Sequence, residues 1–510
     1  MLRGWARFLP AAAMVLVVLS GCARVGPDYR RPDPVVPIPS SFEQAGSSRS
    51  TGSSTDRWWE DFGNPELNRL VDDVLSNNLD MKLAAARILE IQGQFRRTRA
   101  DRFPSLGYQA TRKQQHQTVE TVIPGSIEAV GPPSFIKVTP SRSEDMTLEV
   151  HSYSLAAPVS FEIDMWGRLA RAEEAARADL LKAEENRRTV AQSVVAEAIG
   201  AYLEIESYER RIEITGKSID NFRRGLALVE RRYERGLATL LSLKQARRAL
   251  AQAEASLPPL RQELGLAQQK LAVLLGRYPK TSPPRRQPED YFRRLAPVPA
   301  GLPSELLLRR PDVRSAEASL RSLNALIGVA KASRFPSISL TGGFGYSSNE
   351  LDRLVRPKSE LWNLSLNLAG PIFNAGKLEA GQRMAEARYR QGLVEYAKQV
   401  LTAFREVEGA LLRRREQIER RERIVTFLDE ARATQNMAET RYERGLESYL
   451  DVLEAQQTRY QAEESLVLAD LAILTNRVTL HRALGGGWAD PGPVDSDRTT
   501  DESGPDGSGI

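Results

Sequence analysis

Hydrophobic and polar residues alternate along four short stretches of the chain. In the stretch 152–164, Tyr153 and Leu155 fall on one face of an extended chain, and Ser152 and Ser154 fall on the other. A period of two residues is typical of a strand with one apolar and one polar face. The alternation therefore predicts strands at 105–112, 152–164, 337–346 and 361–373.

The rest of the chain is rich in Ala, Leu, Glu, Gln and Arg, which favour helices. The predicted helices cover 66–101, 167–235, 240–275, 304–333, 376–444 and 449–484. The first and fourth stop at Phe-Pro, because proline cannot continue a helix. Alanine falls on several faces of the long helices, which suits a helix with neighbours on both sides in a wall, although a plain antiparallel coiled coil also fits. Helices of about 69 residues would span roughly 100 Å, so the pattern favours a tall wall over a compact domain.

An internal repeat organises these elements. The sequence Arg-Tyr-Glu-Arg-Gly-Leu occurs at 232–237 and again at 441–446, an offset of 209 residues. The same order of helix, two strands, long helix and helix occurs in both copies. We therefore predict two tandem structural repeats, at 66–276 and 304–488, joined by a Pro/Arg-rich equatorial linker at 277–303.

The N-terminus has the layout of an exported lipoprotein. Two arginines precede a short apolar run that ends in Leu-Ser-Gly-Cys, and Cys22 is the only cysteine of the chain. This pattern predicts a lipoprotein signal peptide at 1–21 and lipidation of Cys22, although an ordinary signal peptide with a chance cysteine also fits. An extended linker at 22–65 follows. The acidic, Gly/Pro-rich segment 489–510 is predicted to be a disordered tail.

Composition excludes several kinds of function. The chain has 71 Lys+Arg against 66 Asp+Glu, and these charges interleave, so nothing favours a nucleic-acid partner. One cysteine and three histidines exclude a cysteine-rich metal site and a CxxC redox pair. The scattered histidines and the absence of catalytic motifs predict no catalytic residue, no metal site and no enzyme activity.

The four predicted strands allow two interpretations. They could form a soluble sheet buried on one face, or the strands of a membrane barrel with an apolar outer face. The exported N-terminus and the absence of a second apolar layer favour the membrane. A membrane sheet cannot keep an open edge, and four strands cannot close a barrel, so the chain must assemble. A dimer would supply eight strands and a trimer twelve. A barrel of twelve strands is wide enough for a channel, so we expect a trimer. Segments 113–147 and 347–360 are then predicted to be outer loops, the first of them mobile.

Several motifs occur in a characteristic order and spacing. They are Cys22 with Gly26-Pro27-Asp28-Tyr29, Trp58-Trp59 with Phe62, Arg309-Arg310-Pro311-Asp312-Val313, Phe335-Pro336-Ser337-Ile338, Gly370-Pro371-Ile372-Phe373 and Tyr449-Leu450-Asp451-Val452. Each motif alone is weak, but together they resemble the TolC-like outer membrane factors, and most closely the lipid-anchored efflux lipoproteins of the NodT/OprM type. The resemblance covers about residues 20–488.

The resemblance implies a mainly α-helical fold with membrane β-strands. Four transmembrane strands per chain would contribute to a trimeric, twelve-stranded β-barrel that is continuous with a long periplasmic α-helical barrel. The implied partners are two further copies of the chain, outer-membrane lipid, a periplasmic adaptor protein and an inner-membrane pump, often of the RND type. No cofactor is implied besides covalent lipid on Cys22, as N-acyl and S-diacylglycerol groups.

The resemblance also places candidate sites near two turns. Leu450, Glu454 and Gln457 match positions that point into the tunnel and close its periplasmic end. We expect Leu450 to form an apolar constriction lined by Glu454. Gln457 departs from the family, where a basic residue is expected, and Arg232 or Arg441 could replace it as the partner of the acid. These residues could instead simply pack between helices.

The turns themselves are the second candidate site. Glycine at each turn permits a positive φ and reverses the chain. Adaptor contact is expected at these tips, although a solvated helix end without a partner also fits. The expected contact residues are Arg235, Gly236, Leu237, Arg444, Gly445 and Leu446.

The resulting hypothesis is an outer-membrane exit duct of a tripartite efflux system, which passively conducts what a pump and an adaptor deliver. A type I protein secretion duct uses similar channels and is the first alternative. A non-channel periplasmic scaffold is the second. Drugs, solvents and metal ions all remain possible cargo, because the pump selects the substrate in this architecture.

Overall fold

The computed structural model describes residues 24–33, 37–45, 57–130, 135–281, 295, 298 and 303–486. The signal peptide 1–21, Cys22, most of the linker 277–303 and the tail 489–510 lie outside the described residues. Within the described residues, no helix is both long and apolar enough to cross a membrane.

Eight α-helices of the described chain follow the order expected from the repeat. Those of the first repeat are α1 (Pro65–Asn77), α2 (Leu79–Ala100), α3 (Arg168–Glu234) and α4 (Leu240–Leu274). Those of the second are α5 (Pro303–Arg309), α6 (Pro311–Ala332), α7 (Lys377–Glu443) and α8 (Tyr449–Ala483). The long helices α3 and α7 contain 67 residues each, which corresponds to roughly 100 Å of helix.

Two of the predicted helices are each divided in the structure. The predicted helix 66–101 breaks at Asn78, whose side chain accepts hydrogen bonds from the backbone N–H groups of Asp80 and Met81 and so caps α2. The same amide donates to the Leu274 carbonyl, so the break is tied to the end of α4. The predicted helix 304–333 breaks before Pro311, since the residue before a proline avoids the helical conformation.

The strands form one principal antiparallel sheet and one short ribbon. They are β1 (Ser105–Leu106), β2 (Gln109–Ile123), β3 (Ile127–Val130), β4 (Phe135–Val138), β5 (Arg142–Ile163), β6 (Ser337–Ser348) and β7 (Glu360–Ala369). Both β1 and β2 pair with β5, which pairs with β6, which pairs with β7. β3 and β4 pair only with each other.

The predicted mobile loop 113–147 is wrong for most of its length. β2 continues to Ile123 and β5 begins at Arg142, and these two residues form the last pair of a continuous ladder. β6 pairs with β5 only as far as Tyr153, so the β2–β5 ladder continues beyond β6 as a two-stranded ribbon. The prediction failed because residues 113–118 are polar on both faces and give no alternation.

Two other strand predictions need smaller corrections. The predicted strand 105–112 is interrupted, because Gly107 and Tyr108 separate β1 from β2 while the Gly107 N–H donates to the Pro158 carbonyl. The predicted strand 361–373 ends at Ala369. Gly370 and Pro371 follow, and proline has no N–H group to continue the ladder.

The compact units of the chain do not coincide with the two sequence repeats. One unit combines residues up to Arg30 with Gln92–Arg177 and Arg321–Arg390, and it contains the whole principal sheet. The other combines Arg31–Ile91, Ala178–Leu320 and the chain from Gln391 onward. Each unit is therefore built from segments of both repeats.

Candidate functional site at the helical tips

Two turns of the second unit have the same hydrogen-bonded construction. At the end of α3, Gly236 has φ +71° and its N–H donates to the Tyr233 carbonyl, while the Leu237 N–H donates to the Arg232 carbonyl. At the end of α7, Gly445 has φ +75°, and Gly445 and Leu446 repeat both hydrogen bonds. This pattern is a Schellman C-cap, in which glycine supplies the left-handed residue.

Each turn is followed at once by a capped helix. The Thr239 hydroxyl accepts a hydrogen bond from the Ser242 N–H at 3.1 Å and begins α4. Ser448 and Asp451 form a capping box that begins α8, since each side chain accepts a hydrogen bond from the other's backbone N–H. A C-cap and an N-cap a few residues apart satisfy the backbone groups at both helix ends and fix the reversal of the chain.

The two turns are packed together by one apolar cluster. Its buried members are Phe222, Val229, Leu243, Ala246, Ala249, Tyr442, Tyr449, Val452 and Leu453. The Tyr442 and Tyr449 rings lie 5.3 Å apart. Burial raises the pKa of Tyr449 to about 12, and its hydroxyl has no hydrogen-bond partner within the described chain. A Cβ atom at Gly225 would lie 2.5 Å from that hydroxyl, so a larger residue there would displace Tyr449.

The candidate gate residues lie on the side of α8 that faces away from this cluster. Leu450 is 38% exposed, Glu454 is exposed and Gln457 is partly exposed, while Val452 and Leu453 between them are buried. Spacings of four and three residues place all three on one helix face. No hydrogen bond or ion pair of the Glu454 carboxylate occurs within the described residues.

Neither arginine proposed as a replacement partner reaches Glu454 in this chain. The Arg232 guanidinium donates to the Tyr442 carbonyl at 3.0 Å and lies 4.6 Å from the centroid of the Tyr442 ring. Arg441 pairs with Glu447 at 2.7 Å. Both side chains therefore contribute to holding the turns.

The first repeat offers residues that the sequence analysis missed. An offset of 209 residues matches Leu450, Glu454 and Gln457 with Leu241, Gln245 and Arg248 on α4. Leu241 and Arg248 are both exposed. An arginine therefore stands in the first repeat where Gln457 stands in the second, and the repeat offset itself was the signal that could have found it.

The candidate tip residues are accessible. The side chains of Leu237 and Leu446 are among the exposed large hydrophobic residues, and Arg235 and Arg444 are exposed beside them. Each tip therefore presents one apolar and one basic side chain next to a glycine. Apolar and cationic groups in the same small area are suited to binding another protein.

One buried histidine of the second unit has a structural role. His481 is buried and stacks on Trp58 with ring centroids 4.6 Å apart. Burial, assisted by the Arg477 charge, lowers the pKa of His481 to about 3, so the ring is neutral. No group of three potential metal ligands occurs within the described residues.

The N-terminal segment 24–29 contains no helix or strand and is held within the first unit by backbone and side-chain contacts. The Val25 N–H donates to the Trp166 carbonyl at 3.1 Å, and Asn324 donates to the Pro27 carbonyl at 2.9 Å. The buried Arg171 guanidinium lies 2.7 Å from Asp28, and its hydrogen bond and charge hold the pKa of Asp28 below its ordinary value. The motif Gly26-Pro27-Asp28-Tyr29 thus supplies two of the contacts that hold segment 24–29 in place.

Comparison with known proteins extends over nearly the whole chain. The family model described as "Outer membrane efflux protein" matches residues 70–277 and 302–486. The chain is 32% identical to the cation efflux system protein CusC of Escherichia coli O6:H1, over 93% of this chain and 97% of CusC. It is also 32% identical to the solvent efflux pump outer membrane protein SrpC of Pseudomonas putida, over 95% of this chain and 99% of SrpC.

Solved structures show the same fold. The outer-membrane channel OprN superposes with a TM-score of 0.80 at 28% identity, and the match covers 91% of this chain and 99% of OprN. The open state of the Neisseria gonorrhoeae MtrE channel superposes with a TM-score of 0.77 at 26% identity, over 91% of this chain and 98% of MtrE. The chain is an outer-membrane efflux channel, and it belongs to the outer membrane efflux protein family.

Proposed function

We propose that three copies of this chain form the exit duct of a tripartite efflux system. The duct passively conducts substrates that an inner-membrane pump, of the RND type, and a periplasmic adaptor deliver to it. It performs no chemistry on them. The candidate site supports this, because it consists of apolar, amide and carboxylate side chains without a nucleophile, a base and an oxyanion site brought together.

The observation that carries the proposal is the open sheet. Within the part of the chain that the structure describes, β5 and β6 each have a neighbour on both sides, whereas β7 has a neighbour only on the β6 side and β2 only on the β5 side. On β7, Trp362 is 73% exposed, and Leu364, Leu366 and Leu368 of the same face are exposed with it. An apolar face suits lipid, and open edges in lipid require strands from other copies. Three copies supply the twelve strands of a channel-forming barrel.

The names of two relatives support a duct that does not select its cargo. CusC is named for cations and SrpC for solvents, yet this chain is 32% identical to each of them. We therefore assign selection to the pump, and passage to this chain.

We place the periplasmic gate at Leu450 and Glu454. In a trimer, three Leu450 side chains would form an apolar constriction, and three Glu454 carboxylates would form an acidic ring one helical turn away. Arg248 of the first repeat is a better partner for that ring than Arg232 or Arg441, because both of those are committed to the turns. Gln457 then contributes a neutral wall.

We assign adaptor contact to the tips, at Arg235, Gly236 and Leu237 and at Arg444, Gly445 and Leu446. Their support is the exposed leucine and arginine at each rigid turn. Six such tips in a trimer would provide repeated docking points of nearly identical backbone geometry.

We also propose that Cys22 carries the lipid anchor. The docked segment 24–29 begins two residues after it, and its Val25 lies beside the junction of β5 and α3. An acyl group on Cys22 would therefore be tethered next to the end of the sheet that adjoins the helices.

Substitution on β7 tests the membrane sheet and the assembly. Leu364→Arg places a charge on the apolar face, and an arginine near the bilayer midplane costs about 2–4 kcal/mol. We expect it to lower the heat stability of the oligomer extracted from outer membranes. Ser365→Arg, on the other face of the same strand, is the matched control and should retain a heat-stable trimer. Equal stability of the two variants would contradict the lipid-facing assignment.

Single-channel recording in planar bilayers tests the duct and its gate. We expect the wild type to form channels, and Leu450→Ala to raise conductance and leak because the apolar constriction widens. Glu454→Gln should weaken the preference for cations. Leu468→Ala makes the same change at an exposed leucine farther along α8 and should leave conductance unchanged. Wild-type-like currents in Leu450→Ala and Glu454→Gln would rule out this gate.

Charge reversal at the turns tests the adaptor contact. The double variant Arg235→Glu/Arg444→Glu should lose efflux-dependent resistance in cells while it keeps the conductance of the wild type, since the turns are held by backbone hydrogen bonds. Drug susceptibility and bilayer recordings on the same variant provide the two measurements. Unchanged resistance would show that the adaptor binds elsewhere.

Metabolic labelling with palmitate tests the anchor. We expect label in the full-length wild type and none in Cys22→Ser. Label that persists in Cys22→Ser would place the acyl group on another residue.

A further inference from the structure

The four junctions between helices and the principal sheet lie at one end of its strands, which we call the helix-proximal edge. Ile163 at the end of β5 pairs with Ile338 of β6, and Ser337 pairs with Ala369 at the end of β7. Ser105 of β1 pairs with Ser160 of β5, three residues from the same end. The end of α2, the start of α3, the end of α6 and the start of α7 therefore all adjoin this edge.

The residues next to this edge are strongly basic. In the four segments of eight residues that flank it (97–104, 164–171, 329–336 and 370–377), eight residues are Lys or Arg and two are Asp. The remainder of the chain has nearly equal numbers of acids and bases, so the excess is local. One of the two acids is occupied, because Asp164 accepts hydrogen bonds from the Leu169 and Ala170 N–H groups at the start of α3.

Half of these bases are already paired with acids of the same unit. Arg168 lies 2.7 Å from Glu162, Arg171 pairs with Asp28 and Glu174, and Arg99 and Arg102 both approach Glu173. The other four are exposed and form no ion pair within the described residues; we call them the basic rim. They are Arg97, Lys331, Arg334 and Lys377. The Arg334 guanidinium donates to the side-chain amide oxygen of Gln382, which is neutral.

Exposed apolar side chains adjoin the basic rim on the side of the sheet. Phe103 and Leu106 follow Arg97, and Ile372 and Phe373 precede Lys377; all four are exposed. Basic side chains beside exposed aromatic and aliphatic ones are typical of the level at which a protein leaves the hydrocarbon and meets lipid headgroups. The connection between β6 and β7, at the other end of these strands, differs in its charges. There Arg353 pairs with Glu350, and Arg356 pairs with Asp352.

We propose that the basic rim binds the headgroups of anionic phospholipid in the membrane leaflet that faces the helices. Charge complementarity selects this partner, since unpaired cations at a headgroup level favour phosphate groups that carry net negative charge. The inference rests on the periplasmic placement of the helices in the proposed function. The rim would thereby hold the depth of the sheet in the bilayer at four points per chain.

Lipid selectivity of the reconstituted full-length protein tests the proposal. The protein is placed in phosphatidylcholine vesicles, and spin-labelled phosphatidylglycerol is compared with spin-labelled phosphatidylcholine. One Lys or Arg near an anionic surface corresponds to about a fivefold preference, so we expect at least that for the wild type at low salt. High salt should reduce the preference, because it screens exposed charges.

Three variants isolate the rim. Arg97→Gln/Lys331→Gln/Arg334→Gln/Lys377→Gln should show no preference for phosphatidylglycerol. Arg97→Lys/Lys331→Arg/Arg334→Lys/Lys377→Arg keeps the charges and should keep the preference. The matched control Arg261→Gln/Arg390→Gln/Lys398→Gln/Arg420→Gln removes four exposed charges away from the edge and should behave as the wild type. If the fourfold rim variant does not assemble, Lys331→Gln/Lys377→Gln should show an intermediate preference.

Several results would overturn the proposal. They are a wild type without preference, a preference that survives in the rim variant, and a stronger rim-dependent preference for lipid A, which would place the rim in the other leaflet. Conductance recorded in neutral bilayers is a separate measurement. Loss of lipid preference with normal channels therefore bears only on the rim, whereas absent channels with intact lipid preference would bear only on the duct.

Discussion

Every backbone N–H and C=O group that enters a bilayer needs a hydrogen-bond partner, because lipid offers none. In the described parts of this chain, β5 and β6 meet the requirement because each has a strand on both sides, whereas one side of β2 and one side of β7 stay open. The proposed assembly depends on this one requirement. The helices contribute to this pairing, because each pair of strands begins and ends at a helix junction on the helix-proximal edge of the sheet.

The sequence was sufficient for the elements whose physics is local. Period-two alternation located the strands that adjoin the helices, and Gly236 and Gly445 marked the two turns that proved to be Schellman caps. It was insufficient where a long-range contact decides the structure. Asn78 divides a predicted helix because it binds the distant Leu274 carbonyl, and no local pattern announces that bond. The ribbon of β2 and β5 was not predicted for a related reason, since cross-strand pairs of polar residues leave no hydrophobic pattern in the sequence.

The candidate gate shows the same division. Spacing alone placed Leu450, Glu454 and Gln457 on one face, and the structure leaves that face accessible. The partner of Glu454 could not be chosen from the sequence, because Arg232 and Arg441 looked equally available. In the structure Arg232 contacts Tyr442 and Arg441 pairs with Glu447, so neither is available to Glu454. Arg248 is therefore the proposed partner. The two repeats are thus alike in backbone and different in the charge that they present near the tips.

The ribbon formed by the outer halves of β2 and β5 has a consequence of its own. Eleven residue pairs, from Lys113 with Ser152 to Ile123 with Arg142, have no third strand beside them among the described residues. A substitution there alters one cross-strand pair. A substitution where β6 and β7 are also present alters a sheet that has more than two strands. Sequence changes confined to the ribbon therefore leave the pairing of β5 with β6 and of β6 with β7 untouched.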